Sequence, residues 1–317
     1  MVAASADAFA LVGNEYRAAI LRALLAAHAD GETPYPTPFA VLRERAGVDV
    51  SAQFAYHLDE LVGSMVARTG DGYRLRYAGW KAAAALAAGT YASQPAFGPA
   101  SVDGACRHCD AAALHASYGD AWLTVACHGC ERVLARYPFP PGAAAARLEA
   151  GDVEDGDIED DDVDNLLAAF DARVRSHFEL AADGVCPECA GRTTTTLERV
   201  ANPDATAPTA TSGDGHALEA IADCQQCGNH LAFPVGLLAL DDPDVVRVLE
   251  KRGLDPGATP FWELPVLDDD AVAQRGTDPL EATVTIRKPD AASADHAESA
   301  LDVVVTADLD ARITENH

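Results

Sequence analysis

Eight cysteines carry the most legible chemistry in this chain, because all of them fall into four C-x2-C pairs: Cys106/Cys109, Cys127/Cys130, Cys186/Cys189 and Cys224/Cys227. Two such pairs folded against each other present four soft sulfur ligands tetrahedrally, at about 2.3 Å from a zinc ion. Equal spacing in all four pairs argues against cysteines placed for packing alone. Disulfides are the other use of paired cysteines, but a reducing intracellular compartment keeps thiols free. A thioredoxin-like redox pair would sit between the strand and helix of a βαβ unit, and no such pattern surrounds these pairs. The expectation is two structural Zn2+ ions, one on Cys106, Cys109, Cys127 and Cys130, the other on Cys186, Cys189, Cys224 and Cys227. Four thiolates close the coordination sphere and leave no position for water, so hydrolytic catalysis at either ion is excluded. His108 and His128, inside the pairs, are expected to stay outside both ligand sets.

The surrounding sequence repeats. "CHGCERVLARYPF" and "CQQCGNHLAFPV" share C-x2-C-x3-L-A followed by a proline, and each is preceded by another C-x2-C, which implies two copies of one small unit. In the first copy 17 residues separate the pairs; in the second 34 do, and "ANPDATAPTATSGDGHA" reads there as a disordered insertion. Units this small build little core, so bound metal supplies much of their folding free energy. The first zinc ribbon is expected over 105–142 and the second over 184–240. Between them, 143–183 holds an acidic linker, "GDVEDGDIEDDDVD", and a helix over roughly 163–182 with Leu166, Leu167, Phe170, Val174 and Phe178 on one face. The acidic run lacks the calcium-loop pattern and reads as solvated. In the last region, 241–317, "PFWELPVL" is an apolar anchor, and "EATVTIRK" and "ALDVVVTADL" alternate as the two strands of a small β hairpin.

Residues 1–91 follow a different pattern, separated from the rest by a linker over 92–104. Helical periodicity runs over about residues 5–29 and stops at "HADGETPYPTP". A second helix opens at Thr37 or Pro38 and ends at Gly47; a third, 52–65, takes Ser51 as its N-cap and turns Phe54, Leu58 and Leu61 inward. "MVARTGDGYRLRYAG" holds an Asp-Gly pair between two extended runs, a hairpin signal, and "WKAAAALAAGTYA" closes as a helix. Three helices, a hairpin and a helix make the winged helix-turn-helix order. In such a module the third helix enters the major groove, where Gln53 pairs with an adenine edge and Tyr56 reaches a phosphate or a thymine methyl. Arg43 and Arg45 sit where the second helix crosses the phosphate chain, and Arg68, Arg74 and Arg76 alternate along the wing. His57, at the margin of the buried arc, is expected to pack rather than read bases.

The formal net charge of the chain is -27, which argues against a polyanion partner until its distribution is considered. Residues 1–90 contain nine acids and eight bases, for a net charge of -1, so the acidity lies elsewhere. Only three lysines occur against 50 acidic residues, a composition suited to molar salt, where screening acts over about 3 Å. In that solvent counterion release contributes little, and a DNA reader relies on shape, hydrogen bonds and apolar contacts. No run of about 18 to 20 apolar residues predicts a membrane helix, and a cytoplasmic location is expected. The P-loop, dinucleotide, HExxH and nucleophile-elbow patterns are all missing from the sequence, so no enzyme is expected.

"LVGNEYRAAILRAL", "FAVLRERAGV" and "SAQFAYHLDELVGSMVARTGDGYRL" resemble the ArsR-type (arsenic-repressor-like) winged-helix transcription regulators of archaea, over about residues 8–88. The resemblance implies a transcription regulator with the third helix as reader, and a homodimer for which the segment Trp80–Tyr91 is the candidate helix. The cysteine metal-sensing motif of some family members belongs in the winged domain, and the first cysteine here is Cys106, so that sensing is not carried over. Winged helix followed by paired C-x2-C units also resembles haloarchaeal proteins of similar layout. The expected fold class is thus α+β and multidomain: an N-terminal winged helix-turn-helix, two four-cysteine zinc ribbons joined by a helix, and a small C-terminal β hairpin. The expected function is sequence-specific binding of double-stranded DNA, with the ribbons and hairpin contacting a partner protein, another protomer or a ligand. The alternative is a protein-interaction scaffold of the transcription machinery whose winged helix binds protein and never touches bases.

Overall fold

The computed structural model describes residues 10–89, 95–148, 160–199, 218–268, 271–286 and 301–314, and its architecture is α+β with several separate sheets. Two compact units divide the chain: Met1–Gln94 with Pro140–Ala143, and Pro95–Phe139 with Ala144–His317. Among the described residues no helix is long and apolar enough to cross a membrane.

In the first unit, Asn14 is extended and its side chain accepts hydrogen bonds from the N–H groups of Tyr16 and Arg17, so α1 (Glu15–Ala29) begins there. The single helix expected from residue 5 is therefore interrupted: a helical turn ends at Val12, and residues 1–9 lie outside the described ones. α2 (Phe39–Arg45) stops before Gly47, whose φ of +66° suits a residue without Cβ. α3 (Ser51–Leu61) is capped by Val50 and not by Ser51, because the extended Val50 already gives its carbonyl to the Phe54 N–H at 3.0 Å. The helix is also shorter than the pattern implies, since Val62 returns to extended backbone and bridges to Val66.

β1 (Val66–Arg68) and β2 (Tyr73–Leu75) form the expected antiparallel hairpin, with Ala67 opposite Arg74 and Arg68 opposite Tyr73. Its turn needs glycine at 72, where φ is +146° and a Cβ would lie 2.4 Å from the Thr37 carbonyl oxygen. Thr37 and Tyr73 exchange backbone hydrogen bonds of 2.8 and 2.9 Å, which tie the segment before α2 to the hairpin. α4 (Tyr77–Ala87) follows. Ile20, Leu21, Leu24, Leu42, Phe54, Leu58, Leu61 and Val66 form the core and are sealed from solvent. Each such side chain contributes about 1.5–3 kcal/mol, which is why the inward face of α3 is fixed and its outer face is free.

The second unit opens with an antiparallel sheet of β3 (Phe97–Val102), β4 (Leu114–Gly119), β5 (Trp122–Cys127) and β6 (Val133–Pro138), in that order. The linker expected over 92–104 is thus in good part a strand. Its Gly-Pro pair disguises it: the register shifts between Phe97 and Ala100, so Pro99 falls in the bulge, where no ladder donor is needed. α5 (Pro141–Arg147) comes next, and the acidic run before residue 160 lies largely outside the described residues.

α6 (Asp160–Ala182) buries Val163, Leu166, Leu167, Phe170, Val174, Phe178 and Ala181. Phe170 meets the rings of Phe261 and Trp262 at 6.0 and 6.1 Å, and Phe178 stacks on Phe233 at 5.0 Å. A polar clamp fastens the apolar anchor to this helix. Arg175 donates to Asp171 at 2.8 Å and to the Thr259 carbonyl at 2.7 Å, while Asp171 accepts from the Phe261 N–H at 2.6 Å.

A second sheet, β7 (Thr193–Glu198), β8 (Glu219–Cys224) and β9 (His230–Pro234), packs at the end of α6. There the hydroxyls of Thr193 and Thr195 both donate to the Ala181 carbonyl at 2.9 Å, satisfying a helix-end acceptor. The disordered insertion expected between β7 and β8 lies outside the described residues. Then follow α7 (Val235–Leu238), α8 (Pro243–Lys251) and a four-stranded sheet of β10 (Val272–Gln274), β11 (Ala282–Ile286), β12 (Leu301–Val305) and β13 (Ala311–Thr314). The expected hairpin of two strands is corrected to four. Its edge strands β10 and β13 are short, and neither shows the alternating burial of β11.

Candidate metal centres and nucleic-acid interface

The eight cysteines converge as two groups of four, Cys106/Cys109/Cys127/Cys130 and Cys186/Cys189/Cys224/Cys227, with all sulfurs of a group within 4.8 Å of one another. This is the pairing within each copy of the repeat, and neither His108 nor His128 joins a group. Cys106 and Cys130 lie 3.7 Å apart, as do Cys109 and Cys127; in the second group Cys186–Cys227 is 3.7 Å and Cys189–Cys224 is 3.6 Å. A disulfide requires about 2.05 Å, whereas a tetrahedron with 2.3 Å metal–sulfur bonds has edges of about 3.8 Å. The donor sets therefore fit two thiophilic metal ions.

Each pair adopts one backbone turn. The N–H of the first cysteine donates to the carbonyl five residues on: Cys106 to Ala111, Cys127 to Arg132, Cys186 to Gly191 and Cys224 to Asn229, at 2.8 to 3.0 Å. The residue after the second cysteine is left-handed in every case, with φ of +55° at Asp110, +59° at Glu131, +56° at Ala190 and +72° at Gly228. The turn aims backbone donors at sulfur: the N–H of Gly129 lies 3.2 Å from the Cys127 Sγ, Gly191 N–H 3.3 Å from Cys189, and Gln226 N–H 3.4 Å from Cys224. Such donors favour thiolate over thiol. The N–H groups of Cys227 and Gln226 hold Cys224 down at about 6, whereas burial pushes Cys106 up to about 12. A bound cation offsets that burial penalty by pairing with the thiolate charge.

Around the first group, the rings of His115 and His128 stack at 3.6 Å, and burial, then the neighbouring His128, lowers the pKa of His115. His108 turns its Nδ1 to Asp268 at 3.6 Å. Arg107, between the first two cysteines, donates to the carbonyls of Trp262 and Leu134 at 2.7 and 3.1 Å and fixes this turn against the apolar anchor.

In the first unit the seven expected contact residues divide. On α3, Tyr56 is 61% exposed and Gln53 is half-buried at the edge of the outer face. Arg68 and Arg74 are exposed on the hairpin and have no carboxylate partner among the described residues; the Arg68 guanidinium lies 5.7 Å from the Tyr73 ring centroid. Arg43 is half-buried on α2. Arg45 instead bonds Asp30 at 2.6 Å and Thr33 at 2.7 Å, and Asp30 is held down at about 2, first by the backbone N–H of Thr33. Arg76 lies beyond β2, before α4, and donates to the Gly63 carbonyl. It does not continue the alternation of Arg68 and Arg74. The reason is local: β2 ends at Leu75, and residue 76 becomes the N-cap of the next helix.

His57 packs as expected, its ring stacked on Tyr16 at 5.0 Å. The sequence pattern does not single out the exposure of Val50 (57%) or Tyr77 (76%), which depends on where α3 and α4 begin. The acids Asp59 and Glu60 are exposed on the last turns of α3, and Glu60 is 3.9 Å from Arg17.

Residues 103–303 match the family model described as Domain of unknown function (DUF7351), which spans both cysteine groups and α6. Residues 5–86 match the model described as Domain of unknown function (DUF7347), which spans the helices and hairpin of the first unit. No curated protein and no solved structure matches the chain.

Proposed function

Because the chain belongs to the family described as a domain of unknown function (DUF7351), its activity has to be argued from its own residues, and we propose that it is a sequence-specific DNA-binding transcription regulator with two structural zinc ribbons. The first unit acts as a winged helix-turn-helix of the ArsR-type kind, with α3 as the reading helix and the β1–β2 hairpin as the wing. One observation carries this reading. A helix that exposes Tyr56 and the edge of Gln53 is followed by a hairpin whose Arg68 and Arg74 have no carboxylate partner among the described residues, on a unit close to neutral within a chain of charge -27. Gln53 supplies the donor and acceptor that match an adenine edge, and the arginines supply phosphate contacts. Arg45 and Arg76, engaged within the fold, drop out of the contact set, which leaves Arg43, Gln53, Tyr56, Arg68 and Arg74.

Zinc in closed four-thiolate sites serves the second unit by holding each sheet to its turns, and offers no open position for catalysis. The ion supplies charge to neutralise the thiolates; the chain supplies the N–H donors and the left-handed turns that aim them. The protein then works as a cytoplasmic regulator, paired as a homodimer in the manner of its ArsR-type likeness, with the second unit facing a partner.

The exposed Asp59 and Glu60 favour the second reading, a scaffold that binds protein through this unit. Selection of duplexes from a random-sequence pool by the full-length protein in molar potassium chloride separates the two. A reader enriches one sequence, Arg68→Ala and Arg74→Ala weaken binding to every sequence, and Gln53→Ala changes the preferred one. Enrichment of no duplex leaves the scaffold.

A further inference from the structure

The outer face of α3 has a composition of its own. With Phe54, Leu58 and Leu61 turned into the core, Ala52 and Tyr56, four residues apart, share the opposite side, and the cap residue Val50 precedes them. All three are exposed, Val50 at 57% and Tyr56 at 61%. α3, SAQFAYHLDEL, carries no lysine or arginine. Arg68 and Arg74, which have no carboxylate partner among the described residues, follow it in the chain on the hairpin. The exposed apolar groups are confined to the start of the helix, from Val50 to Tyr56, because Asp59 and Glu60 are exposed on its last turns.

Resting on the DNA-reading assignment, we propose that Val50 and Tyr56 select thymine, by packing against its 5-methyl group in the major groove. That methyl is the apolar group a base pair displays there, and the first residues of a reading helix are the ones that reach base edges, so exposed apolar groups at the start of α3 have one chemical counterpart on duplex DNA. The charge balance points the same way. A chain with 50 acidic and 23 basic residues suits molar salt, where phosphate contacts lose their counterion contribution and apolar burial keeps its own. Arg68 and Arg74 then orient the duplex, Gln53 pairs with adenine, and Val50 and Tyr56 discriminate thymine from cytosine or from uracil.

The test uses full-length protein and the duplex it selects from a random pool in molar potassium chloride, resynthesised with single thymines replaced by deoxyuridine, which lacks only the methyl. Replacement at more than one position weakens wild-type binding by about fourfold each, the equivalent of one buried methyl. Val50→Ala abolishes the sensitivity at one position and Tyr56→Ser at another, and Arg74→Ala weakens thymine and uracil duplexes alike. Equal wild-type affinity for thymine and uracil duplexes overturns this proposal and leaves DNA reading standing, as does undiminished sensitivity in both variants. A variant that fails to bind either duplex also overturns it, because the loss exceeds a methyl contact. If no duplex is selected, or the face instead captures a second copy of the chain or another protein, both this proposal and the DNA-reading assignment fall.

Discussion

Replacing Cys186 by serine removes one vertex of the second sulfur tetrahedron, and the structure sets the size of the effect. Cys186 is 1% exposed and lies 3.7 Å from Cys227. The four sulfur–sulfur edges of 3.6 to 3.7 Å, divided by the tetrahedral ratio of about 1.63, place a central ion about 2.2–2.3 Å from each sulfur. Structural zinc binds with about 10–16 kcal/mol of apparent free energy, or about 2.5–4 kcal/mol per thiolate when shared among four. Cys186→Ser should therefore lower affinity at that site by about a hundred- to a thousandfold. A chelator of intermediate affinity would strip this site and spare the other. Elemental analysis should give two zinc ions per wild-type chain and one per variant chain. X-ray absorption should show a single sulfur shell at about 2.3 Å in the wild type, and the same shell on the ion the variant retains. Two ions retained by the variant, both ions lost, or nitrogen or oxygen in the wild-type shell would refute the assignment of four thiolates to each ion.

Two other outcomes are expected. His177 is buried with its Nδ1 2.9 Å from the Tyr137 hydroxyl, and burial, then Arg173, holds its pKa down at about 4. An unfolded histidine titrates near 6.5, so the unfolded chain binds more protons between the two values and stability falls as pH drops through that window, by about 2 kcal/mol from about pH 7 to about pH 5. Urea unfolding of the wild type against the double variant His177→Phe, Tyr137→Phe isolates this loss, because carboxylate and thiolate titrations are common to both; parallel pH profiles would rule it out. Ala190 and Gly228 hold the same left-handed place in their turns, at φ of +56° and +72°. Ala190→Gly should raise stability and Gly228→Ala lower it, each by about 1 kcal/mol, and melting temperatures that move in the same direction would contradict the shared turn.

What the sequence determined by itself is what short-range chemistry controls. The pairing of the cysteines follows from C-x2-C spacing, because each turn closes on a hydrogen bond spanning five residues and needs nothing distant to form. The hairpin at 66–75 was legible from Asp71-Gly72, and the buried faces of α3 and α6 from helical spacing, since turn type and side-chain periodicity are properties of a few consecutive residues. Tertiary structure decided everything that needs a partner far along the chain. β3 is a strand because β4 offers it a ladder, despite Gly98 and Pro99; β10 and β13 exist because β11 and β12 have edges to pair. Arg45 and Arg76 look like free cations in the sequence, and only folding brings Asp30 and the Gly63 carbonyl within reach of them. A charge in water is neutral as to partner, and it is the packed chain that chooses which arginines hold the protein together and which remain for something else.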